Sequence, residues 1–189
     1  MTESDLVGEE PIEDVSEAEL ATYALCVDHL GVPHRAQAAL RQLMAAGLRA
    51  TPVVRRGLQH DDPAVRVGCC KVLDHYLDEE ALPELIENLT HPDDEVRAWA
   101  LHALACDKCK EGVCRPGETD VIPLAVQMLL TDESRSVRQM AAGLLGPSVH
   151  RHPAVLPALE QARQHRDDDA GGGGEPARTV NSHTVSLTH

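Results

Sequence analysis

The chain has 189 residues, enough for one domain with a real core plus tails, and holds no Phe, one Trp and two Tyr. A core of Ala, Leu and Val suits closely stacked helices better than a sandwich or barrel, so the expected class is all-α. The net charge of −14 is unevenly spread: residues 1–20 carry eight acids and no base, whereas 21–166 carry 19 acids against 16 bases. No basic stripe of the kind that neutralises phosphate is present, which argues against nucleic acid as a partner.

The opening MTESDLVGEEPIEDVSE has no basic region followed by an apolar run, so no secretory signal is expected. No apolar stretch approaches the ~20 residues that span a bilayer. A cytoplasmic, reducing location without membrane contact follows, where thiols outlast disulfides. Residues 1–15 are expected to be disordered, being acidic and without apolar periodicity.

Helical spacing begins near residue 17 and predicts helices over about 17–30 and about 34–47. Beyond them the chain repeats. The segments DPAVRVGCCKVLDHYL, DDEVRAWALHALACDK and SRSVRQMAAGLLGPSV align on Val65-Arg66, Val96-Arg97 and Val137-Arg138, at intervals of 31 and 41 residues. The surplus in the second interval coincides with CDKCKEGVCR, residues 106–115.

Each aligned segment predicts a helix with its own start. Asp62, Asp93 and Ser134 stand where a side-chain oxygen caps the first turn, and Pro63 fits a first helical position. Small residues recur at Cys69, Ala100 and Ala141, and leucine at Leu73, Leu104 and Leu145. Those offsets share one helical face with the valine. A second helix precedes each segment, in TPVVRRGL, LPELIENL and IPLAVQMLL, and another follows in LPALEQAR, with Pro52, Pro83, Pro123 and Pro157 near their starts. One such pair cannot cover both apolar sides alone, and stacked neighbours supply the missing contact.

This pattern of Pro-led helix, turn, acidic cap, Val-Arg, small residue and leucine resembles the short bacterial HEAT repeat, also seen in phycobilisome-lyase-like proteins. The match runs from Thr51 to His165, with the two leading helices as a degenerate first repeat. The resemblance implies a right-handed α-solenoid of HEAT-like hairpins over 16–166, and a protein-binding scaffold rather than an enzyme. The lyase relationship implies an alternative, a protein that handles a bilin chromophore, although one Trp and two Tyr offer little of the aromatic lining a bilin needs. The family commonly has Asp five residues before the valine, where this chain has His60, His91 and Asp132. The ladder between repeats is therefore expected to be weakened or replaced. Arg66, Arg97 and Arg138 are expected to bond carboxylates or carbonyls of the turns rather than a ligand. By the same resemblance, partner contacts would draw on the second helices, at Val67, Lys71, Ala98 and Gln139.

The surplus segment carries the chemistry. Cys106, Cys109 and Cys114 are spaced C-x2-C-x4-C, and His102 lies one helical turn before Cys106. Three thiolates and one imidazole would form a closed tetrahedral zinc shell, with Lys108, Lys110 and Arg115 nearby to favour thiolate. His75 competes with His102 as fourth ligand, because it occupies in the preceding repeat the place of Cys106. Two other readings stay open here: a reversible thiol switch, which would make the chain a metal- or redox-responsive scaffold, and plain reduced cysteines in a turn. Cys26 and Cys69 are expected in the core, and Cys70 at a partly exposed position.

No Gly-rich phosphate loop follows a strand, and no Ser has a nucleophile-elbow context. The run GGGG at 171–174 sits in a polar tail, 167–189, that is expected to be disordered.

Overall fold

The computed structural model describes residues 15–77, 79–106, 109 and 118–171. Among these residues the chain is helical throughout, with no strand. The disorder expected for 1–14 and for 172–189 lies outside the described residues.

Helices begin where the sequence supplies an acceptor or a proline ring. Ser16 and Glu19 form a reciprocal capping box at the start of α1 (Glu17–His29). Pro33 opens α2 (Pro33–Ala46), and Gly47 ends it with φ 60°, a conformation that favours glycine. A short 3₁₀ turn leads into α3 (Thr51–Gly57). Asp62 caps α4 (Pro63–His75) through the Ala64 amide. After α5 (Leu82–Asn88), Asp93 caps α6 (Asp94–Ala105) through the amides of Glu95 and Val96. The chain closes with α7 (Glu118–Thr131), α8 (Arg135–Leu145) and α9 (Val155–Gly171).

Three expectations need correction. Ser134 does not cap α8; its hydroxyl donates instead to Asp94 Oδ2 of the preceding repeat, at 2.5 Å. Pro123 lies inside α7, because the helix starts at Glu118 and not at the proline. The last helix continues to Gly171, past the expected end at 166, since no Pro or Gly intervenes between Pro157 and Gly171 to stop it.

The aligned positions meet in one core. Val65, Val96 and Val137 are 1%, 0% and 0% exposed, and Leu73, Leu104 and Leu145 are equally covered. Successive second helices stack, α4 on α6 and α6 on α8, while each packs on its own first helix. The leading pair joins the stack through contacts of α1 and α2 with α4. This is an α-solenoid.

The Val-Arg arginines knit it together. Arg66 donates to the His60 carbonyl at 2.6 Å and to Asn88 Oδ1 at 2.9 Å, and Asn88 Nδ2 donates in turn to the Leu58 and Glu84 carbonyls. Arg97 donates to the His91 carbonyl and grips Asp132 with two parallel bonds of 2.9 Å. Arg138 donates to the Asp132 carbonyl at 2.7 Å. All three therefore reach the carbonyl of the residue five places before the valine. The side chains at that place also act alike, because His60 Nδ1, His91 Nδ1 and Asp132 Oδ1 each accept the amide two residues on. Histidine replaces the local part of the aspartate's role. The ion pair to the previous repeat is made by Asp132.

Candidate metal centre

The end of α6 and the end of α4 bring four donor side chains to one point. On α6, His102 and Cys106 are one turn apart and face α4, with Cys109 following in the turn. On α4, Asp74 occupies the position that Ala105 and Gly146 hold in the other repeats, nine residues after the valine. One donor atom each from Asp74, His102, Cys106 and Cys109 lies within 4.8 Å of the others.

The four donors already lie close together without an ion. His102 Nδ1 is buried and 3.1 Å from Asp74 Oδ1, yet it makes no aligned hydrogen bond. Cys106 Sγ and Cys109 Sγ are 3.2 Å apart. Bond lengths near 2.0–2.3 Å place tetrahedral zinc ligands roughly 3.3–3.8 Å from one another, so these two pairs would open slightly around an ion while the full spread of the four, within 4.8 Å, would tighten. Asp74 is 3% exposed and meets the His102 and His75 rings at 3.1 Å and 4.0 Å and the Cys109 thiol, so its carboxylate is the oxygen donor of the group. The crowding shows in Cys109, whose thiol is pushed up to about 12, first by its hydrogen bond with Cys106, then by burial and by Asp74. A divalent cation would invert that balance in favour of thiolate.

His102 is further fixed by Trp99, with ring centroids 5.4 Å apart. Lys71 Nζ sits 4.6 Å from the Trp99 ring centroid and 3.9 Å from Glu95 Oε1. Trp99 is thus enclosed between a cation and a candidate ligand.

Of the expected zinc ligands, the structure brings together His102, Cys106 and Cys109. Cys114 lies outside the described residues, as do Lys108, Lys110 and Arg115. His75 is not in the group; its Nε2 is 4.0 Å from Asp74 Oδ2. Asp74 was missed, although an acidic residue at a place where other repeats have Ala and Gly was a readable signal. Cys70 is fully buried rather than partly exposed, like Cys69, and burial raises both thiols. Cys26, also buried, donates to Gln42 Oε1.

The expected partner positions divide. Val67 and Ala98 are only 6% and 8% exposed, because α4 and α6 each have a packed helix on both sides. They offer no contact surface. Gln139 is exposed, and Lys71 is partly so.

An array of stacked helix pairs with its centre at the junction of two units defines a helical-repeat protein. Residues 31–105 match the family model of HEAT repeats, so the stretch from α2 through α6 carries HEAT repeats. The match ends just before the cysteine segment, and the Val-Arg helix α8 continues the pattern beyond it. No curated protein matches the chain. No helix among the described residues is long and apolar enough to cross a membrane.

Proposed function

We propose that this chain is a non-catalytic cytoplasmic scaffold or adaptor that binds another protein, and that its cysteine turn holds a structural zinc ion through Asp74, His102, Cys106 and Cys109. The repeat stack carries the first part. Solenoids of this kind present long, regular surfaces, and recognition of another chain is the usual use of such a surface. The donor set supports the second part. Two sulfurs with one nitrogen and one oxygen suit zinc better than magnesium or calcium, which take oxygen ligands. Four protein ligands leave no open position for water or substrate, so the ion supplies cross-linking and not chemistry. These four complete a shell among the described residues.

Bilin handling draws less support. Trp99 is engaged by Lys71 and His102. The groove between α3 and α5 is lined by Pro52, Arg55, Arg56, Gln59, Glu80 and Glu84, with Arg55 paired to both glutamates. Nothing aromatic lines it.

Native mass spectrometry of the purified chain should show one zinc ion that a chelator removes. A mass equal to the bare polypeptide contradicts the zinc reading. For the scaffold reading, affinity capture from the native cell is compared between wild type and two exposed-surface variants, Ile86→Asp on α5 and Gln139→Arg on α8. A partner retained by wild type and lost by one variant of unchanged melting temperature supports it. Identical capture by all three and by an unrelated solenoid counts against it.

A further inference from the structure

We infer that the centre is a clamp between two repeats that a hydroperoxide opens. The inference rests on the zinc reading above. It comes from the way the four donors are divided between elements and between environments.

Asp74 belongs to α4, while His102 and Cys106 belong to α6 and its end, so an ion bound here cross-links successive repeats. The oxygen and nitrogen donors form the inner half: Asp74 is buried, and so is His102 Nδ1. The sulfur donors form the outer half, since Cys106 and Cys109 both keep some solvent access. Their sulfurs are 3.2 Å apart in a C-x2-C turn, and closing to the roughly 2.05 Å of a disulfide needs only a small movement. The remaining described cysteines, Cys26, Cys69 and Cys70, are 4%, 0% and 0% exposed, which keeps an oxidant away from them.

The reaction balances with hydrogen peroxide as the oxidant. One thiolate attacks a peroxide oxygen, breaking the O–O bond and leaving a sulfenic acid and hydroxide. The second thiolate attacks that sulfur, forming the S–S bond and expelling a second hydroxide. Two electrons pass from the two sulfurs to the peroxide, and two protons from the buffer convert the hydroxides to water. Among the described donors Asp74 and His102 then remain, too few to retain zinc, and the α4–α6 cross-link is lost. A dithiol reductant followed by zinc restores it.

The test uses the full chain loaded with zinc, titrated with hydrogen peroxide. Released zinc is read with a chromogenic chelator, disulfides by peptide mapping, and the junction by Trp99 fluorescence and thermal melting. The expected result is stoichiometric zinc loss in step with a Cys106–Cys109 disulfide. A changed Trp99 signal and a melting midpoint lower by ~3 °C or more should accompany it. The Cys114→Ser variant should behave as wild type, and Asp74→Asn should still form the disulfide but show no fall in midpoint. Retention of zinc while thiols are oxidised overturns the inference and leaves the zinc reading intact. So does a disulfide that uses Cys114, or release without any change in melting. Absence of zinc from the untreated chain overturns both together.

Discussion

At the scale of single residues, the Arg97–Asp132 pair ties two repeats through side chains that are 8% and 7% exposed. Removing Asp132 leaves the largely buried Arg97 with only the exposed Glu133 carboxylate at 3.7 Å and two backbone carbonyls, a loss of about 3 kcal/mol in such settings. Asp132→Ala should therefore lower unfolding free energy by about that amount, measured by urea titration. A double-mutant cycle with Arg97→Ala should give a clear coupling between the two. Asn88 is the neutral counterpart in the previous repeat, serving Arg66 and two carbonyls from a position 2% exposed. Asn88→Ala strands those carbonyls and should cost about 2 kcal/mol in the same assay. Arg66 and Arg97 looked alike in the sequence because both follow valine at the same offset. What they reach differs, since Asn88 stands in helix α5 and Asp132 in a turn, and no local pattern announces that.

At the scale of elements, close helix approach sets the tolerances. A methyl group at Gly68 would come within 2.8 Å and 2.9 Å of the two Leu30 δ-carbons, where α4 meets the end of α1. Gly68→Ala should cost about 1–3 kcal/mol by overpacking, despite the better helix propensity of alanine. Gly143, with open space around its Cβ position, is the control, and Gly143→Ala should stabilise. The start of α6 adds a pH-sensitive tie. The hydroxyls of Ser134 and Ser136 hold the Asp94 carboxyl below its ordinary value. Because the folded-state value is depressed, this contribution is in place above the ordinary carboxylate range and is lost as pH falls through the lowered value. Asp94→Asn should flatten that part of the acid unfolding curve. Much at this scale was legible beforehand. Caps at Asp62 and Asp93, proline starts and the valine-to-leucine spacing placed α4, α6 and α8, because those signals act within a single turn. Pro123 misled, since helix α7 accommodates a proline after its first turn. Asp74 stayed hidden because its meaning depends on α6, whose side chains it meets only after stacking.

At the scale of the whole molecule, each unit touches chiefly its neighbours, so a change at one junction propagates through adjacent interfaces. Chelating the proposed zinc should then weaken the α4–α6 junction more than the α1–α2 end. Hydrogen exchange should show the amides of Val96–Ala105 losing protection while those of Ala39–Leu43 change little. Equal loss at both places would mean that the ion stabilises the molecule without acting at that junction.

The two-pronged grip of Arg97 on Asp132 joins residues on either side of the cysteine turn. Alignment of the flanking units is therefore shared between that grip and the packing of α6 on α8, so Asp132→Ala should loosen the register of one unit against the next before it unfolds either.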